Sequence, residues 1–149
     1  MNIFILDADY KKSATKLRDL DKVRFNKQIV ELVQVLAQVV DFELPKADGS
    51  SYKRNKSILG HPATKWATNN QEWCVSYLGA LLAVYEFETG KTHACSAAYE
   101  VLSRYTRLPT SVPDFGWFSY KVKYTDLANS VIEATGVYLM AKQIGMYSN

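Results

Sequence analysis

The sequence predicts an all-α fold: a compact single-domain bundle of four to six helices. Three observations predict it. Apolar residues recur at helical spacing over long stretches, above all residues 20–40 and 71–88. Capping and stopping residues bracket those stretches, with Asp19 or Asp21 and Asn69 or Asn70 at their starts and Pro45 and Gly90 behind. Strand-like alternation is weak and confined to residues 2–6. A chain of 149 residues with 48% hydrophobic side chains is also large enough to bury one proper core.

Taken in order, residues 2–6 read as a short strand or an extended lead-in. Asp7 or Asp9 caps a first helix to about Leu17, with Ala14 and Leu17 turned inward and Lys11, Lys12, Lys16 and Arg18 on a solvated basic face. The next stretch, LDKVRFNKQIVELVQVLAQVV over residues 20–40, organises the chain, and Asp19 or Asp21 caps it. At about 100° per residue, Phe25, Ile29, Leu32, Leu36 and Val39 form one apolar row, and Val23, Val30, Val33, Ala37 and Val40 a second. Between the rows, Arg24, Lys27, Gln28, Glu31, Gln34 and Gln38 share roughly a third of the circumference. A solvated face is usually wider and more charged, so this strip reads as the lining of a groove, with an ordinary solvated face as the plainer alternative.

The helix stops near Asp41, and Pro45 cannot continue it. Residues 46–60 then form a basic loop, expected to be flexible: Asp48, Gly49, Ser50 and Ser51 supply turn chemistry, Lys53, Arg54 and Lys56 cluster, and no hydrophobic period is present. A helical pattern over residues 63–67 follows His61 and Pro62. Asn69 or Asn70 caps the long helix 71–88, on which Trp73, Tyr77, Leu81, Val84 and Tyr85 recur, and Gly90 suits a left-handed C-cap. A helix over residues 92–105 carries Ala94, Ala97, Ala98, Val101 and Leu102. The aromatic, proline-containing residues 108–120 are expected to wrap the core with Phe115, Trp117 and Phe118. A last helix spans about 125–144, with Gly136 at a tight crossing.

Net charge of +3 permits phosphate contact without demanding it. Residues 1–6 are too short for a secretory signal, and no apolar run reaches the length of a bilayer. A soluble cytoplasmic protein without a membrane partner is therefore expected, its Cys74 and Cys95 reduced in the core. Two distant histidines and no CxxC spacing argue against a metal, and no cofactor motif is found. Gly90-Lys91-Thr92 is not a phosphate loop, because Tyr85 stands where that loop needs glycine.

The candidate catalytic residue is Glu31, mid-helix between apolar rows, where a carboxylate can hold a developing sugar cation or shuttle a proton at a glycosidic bond. Arg24, Lys27, Gln28 and Gln34 are hydrogen-bonding groups on the same strip, suited to a phosphate or a base edge. Lys53 and Arg54 in the basic loop are candidates to hold phosphates. His61, at a helix start with Trp66 five residues on, is suited to binding phosphate or acting as a base; a capping His beside a core Trp is the plainer alternative. His93 reads as a first-turn surface residue.

Three segments carry a resemblance. L-D-x-x-R-F-N-K-Q-x-x-E-x-x-Q-x-L over residues 20–36, H-P-x-x-x-W over 61–66, and the segment from Tyr85 to His93 resemble, in order and spacing, a family of small, mostly phage and bacterial proteins related to pyrimidine-dimer DNA glycosylases. In the phage glycosylase of this kind, a helix bearing a Glu-Leu step supplies the catalytic carboxylate, and the resemblance implies that Glu31 is the site acid. That enzyme attacks the sugar C1′ with an N-terminal amine exposed by loss of methionine ahead of a small residue. Here the second residue is the bulky Asn2, which disfavours that route, and Lys27 becomes the alternative amine if it is desolvated.

The reading that results is an N-glycosylase-like protein that binds nucleic acid or a nucleotide in a polar groove on the helix 20–40. One alternative is a non-enzymatic phage protein sequestering a nucleotide or nucleotide-derived signal against host defence. Another is an interaction module using residues 108–120.

Overall fold

A computed structural model describes residues 2–109 together with Ile132, Thr135, Gly136, Leu139 and Met140. Among the described residues there are six helices and no strand. They are α1 (Tyr10–Leu20), α2 (Lys22–Val39), α3 (Lys56–Leu59), α4 (Pro62–Asn69), α5 (Gln71–Thr89) and α6 (Ser96–Tyr105). The all-α architecture is as the helical periodicity predicts. All but the first two residues of the expected loop 108–120, and most of the expected last helix, lie outside the described residues. Within that helix Thr135 and Leu139 are buried and helical.

The caps explain where α1 and α2 divide. Asp9 accepts from the amides of Lys11 and Lys12 to open α1. Asp21 is extended, ends α1, and accepts from the Arg24 amide to open α2. One aspartate thus breaks a nearly continuous helical sequence in two. α5 ends at Gly90, which adopts φ +67, the left-handed conformation that favours glycine. α6 starts at Ser96, later than expected, because His93 accepts from the Cys95 amide through Nδ1 and holds the preceding turn. His93 is accordingly half-buried, edge-on to Tyr85 at 4.7 Å, and not a helix surface residue.

α5 is the central element, packed most extensively against α1 and then α2, while α2 also contacts α4, α1 and α3. Trp73, Cys74, Tyr77, Leu78, Leu81 and Leu82 of α5 meet Ala14 and Leu17 of α1 and Phe25, Ile29, Leu32 and Leu36 of α2 in a single core. Cys74 and Cys95 are free and buried. The second apolar row of α2 departs from expectation. Val33, Ala37 and Val40 are buried, but Val23 and Val30 are 55% and 40% exposed. Val35, which belongs to neither row, is fully buried. The amino-terminal half of α2 keeps a solvent face; its carboxy-terminal half is enclosed on nearly every side.

Residues 2–5 form no regular element and Leu6 is a bend, so the expected strand is absent. Ile3, Phe4, Ile5 and Leu6 are all buried, in place of the alternation of a half-buried strand. Buried backbone groups need partners, and side chains supply them here. Gln28 accepts from the Phe4 amide (2.5 Å) and donates to the Asn2 carbonyl (3.1 Å). Tyr77 donates to the Phe4 carbonyl and Ser13 accepts from the Leu6 amide.

Candidate functional site

Glu31 lies midway along α2, half-buried where the helix passes from its solvated half to its enclosed half. Among the described residues no hydrogen bond or ion pair engages its carboxylate, so Lys27 does not neutralise it internally. Lys27 is exposed, and the desolvation required of an imine-forming lysine is absent.

His61, another of the candidates, feels the Glu31 carboxylate. It is the N-cap of α4, its Nδ1 accepting from the Ala63 amide at 3.1 Å while Pro62 takes the first helical position. Its pKa is lowered, first by desolvation, next by the positive charge at the amino terminus of the chain; the Glu31 carboxylate acts in the opposite sense. A carboxylate and an amino-terminal charge thus act on this imidazole in opposite senses. With Nδ1 occupied as an acceptor, the neutral ring carries its proton on Nε2, leaving a donor on the side away from the cap.

The remaining candidates divide. Gln28 is fully buried, and both ends of its amide hold the segment 2–4, so its donor serves the fold. Arg54, expected to hold phosphate, donates to the carbonyls of Gln38 (2.7 Å) and Val40 (2.6 Å) and caps the end of α2. Arg24 lies 3.7 Å from the buried carboxylate of Asp21. Trp66 stacks edge-on against Trp73 with ring centroids 6.0 Å apart, on the margin of the core. Gln34 is half-buried, and Lys53 and Lys56 are exposed.

The basic segment is tied to the rest of the molecule. Ser51 forms an antiparallel bridge with Pro45, Gly49 (φ +88) makes the turn between them, and Asn55 caps the short α3. Gln38, 5% exposed, donates to the Lys53 carbonyl and accepts from the Asn55 amide, both at 3.0 Å. Sequence reasoning placed Gln38 on the strip but gave it no role. The signal available was an uncharged amide where a solvated face would carry charge.

Three open clefts of about 260, 480 and 420 Å³ lie at the start of α5 and along α1 and α5, and neither Glu31 nor His61 lines them. Among the described residues no helix is long and apolar enough to cross a membrane, and no group of His, Cys, Asp and Glu could hold a metal ion.

A family model described as pyrimidine dimer DNA glycosylase matches residues 1–93. The chain belongs to the pyrimidine dimer DNA glycosylase family. No curated protein and no solved structure matches it. The region shared with the family holds the buried amino-terminal segment, all of α1 to α5, Glu31, His61 and the basic segment. In this member the second residue is Asn2, whose carbonyl is held by Gln28.

Proposed function

We propose that this chain is a DNA N-glycosylase acting at pyrimidine dimers, with Glu31 as the carboxylate that carries the positive charge building on the sugar. The C1′–N bond breaks with its electron pair leaving on the base. Water then bonds to C1′ and gives its proton to the carboxylate. His61, neutral and donating through Nε2, is suited to a phosphate oxygen beside that centre. Exposed Lys27, Lys53 and Lys56 supply the cationic margin. The observation that carries this reading is the half-buried Glu31 carboxylate, engaged by no hydrogen bond or ion pair among the described residues, on the helix to which the amino-terminal segment is also bound. Family membership supports DNA as the substrate.

The test is a duplex oligonucleotide bearing one cyclobutane thymine dimer, assayed for glycosidic cleavage with and without borohydride. Wild type should cleave, and Glu31→Gln should lose on the order of a hundredfold or more in rate. Its denaturation midpoint should stay within about 0.5 kcal/mol, since the side chain is only partly buried. A wild-type rate in Glu31→Gln removes the assignment. A borohydride-trapped adduct would show that an amine takes the place of water at C1′. Nucleotide binding without any cleavage would instead favour the sequestering alternative.

A further inference from the structure

Gln38 and Glu31 are seven residues apart on α2, which puts them on the same face, two turns and about 10 Å apart along the axis. The Gln38 amide grips the backbone of the basic segment from both sides, at the Lys53 carbonyl and the Asn55 amide. Its Nε2 is also 3.4 Å from the Gln34 carbonyl, one turn back along the same helix. Arg54, between the two gripped residues, closes the attachment through the Gln38 and Val40 carbonyls. Four hydrogen bonds thus fix three consecutive residues, 53–55, to the end of α2, and Lys53 among them and Lys56 next to them face solvent.

We propose that Gln38 is a positioning residue for DNA: it makes the basic segment a rigid extension of the Glu31 helix, so that Lys53 and Lys56 meet backbone phosphates at a set distance from the carboxylate. The inference rests on the glycosylase reading but concerns how the duplex is held, and its chemistry is phosphate neutralisation, not base recognition. A lysine on a free loop would lose chain entropy each time it engaged a phosphate. One already anchored does not, and affinity rises accordingly. Arg54, although basic, acts through the helix terminus and not on the nucleic acid.

The experiment compares wild type, Gln38→Leu and Lys53→Ala/Lys56→Ala for binding and cleavage of a dimer-bearing duplex across a range of salt, with amide hydrogen exchange as a structural readout. Gln38→Leu should speed exchange of the Asn55 amide, raise KM about tenfold and leave kcat within about twofold. The double lysine variant, altered only at exposed positions, should fold as wild type and lower the slope of log affinity against log salt by about 2. Faster exchange at Asn55 with unchanged KM and salt slope would overturn the proposal while leaving Glu31 untouched. An unchanged salt slope in the double lysine variant would overturn it even if Gln38→Leu failed to fold. A wild-type protein that binds no duplex would remove the underlying reading and this inference together, a result distinct from either variant's.

Discussion

Glutamine does in this protein what a second strand does elsewhere. An extended segment buried among helices has no ladder to join, and its amides and carbonyls must find side chains. Gln28 is suited to this because one side chain offers a donor and an acceptor at the spacing of two backbone groups. It joins the Phe4 amide and the Asn2 carbonyl, while Tyr77 takes the Phe4 carbonyl. Gln28→Leu preserves bulk but removes the bonds to both backbone groups, so we expect a loss of about 2–4 kcal/mol. Thermal denaturation should read this as a fall of roughly 4–16 °C for a chain of this size. A variant as stable as wild type would mean that water or another side chain can substitute. His61 shows the same economy, one ring nitrogen capping α4.

At the scale of elements, boundaries are set by single residues with particular backbone demands. Asp21 divides α1 from α2 by extending its own backbone and capping the second helix. Gly90 ends α5 because φ +67 costs a residue with a Cβ more than it costs glycine. Nothing would crowd a Cβ there, so the cost of Gly90→Ala is conformational alone. It should lower stability by about 1 kcal/mol in urea denaturation, with no change in DNA cleavage. No loss of stability would mean that the chain can leave the left-handed conformation freely. Gly79 has a different reason: a Cβ at that position would meet the Tyr99 hydroxyl at 2.5 Å, so its bareness admits the α6 side chain against α5.

For the molecule as a whole, the acid side of the stability curve should be governed by its histidines. Burial lowers the pKa of both: desolvation acts on His93, and desolvation reinforced by the amino-terminal charge acts on His61. A lowered histidine pKa means that the unfolded chain takes up protons more readily than the folded one. Stability is then full above about pH 6.5 and falls as the pH drops below that value toward the folded-state pKa values. Asp7, held below the usual carboxylate range chiefly by its hydrogen bond with Lys16, acts in a separate window near and below pH 4. Urea midpoints should decline between pH 7.5 and 5.5, and His61→Asn, which keeps a capping group, should flatten part of that decline. A midpoint that rises on acidification would contradict the sign.

What the sequence by itself determined is what depends on neighbours along the chain. Helical period gave the all-α class, Gly90 marked the end of α5, the caps of α1 and α2 were narrowed to Asp7 or Asp9 and Asp19 or Asp21, and the ordered blocks around Glu31 and His61 carried the family. These are effects of backbone geometry and short-range spacing, legible without coordinates. Tertiary structure decided which polar groups are used up inside. The strip on α2 looked like the lining of a groove because it was narrow and little charged. It is narrow because Gln28 and Gln38 face the backbones of residues 2–4 and 53–55. Arg54, although exposed, is engaged with the carbonyls at the end of that helix. No local pattern distinguishes a glutamine that waits for a ligand from one that holds a distant stretch of chain. The difference lies in which segment the fold brings within about 3 Å of it.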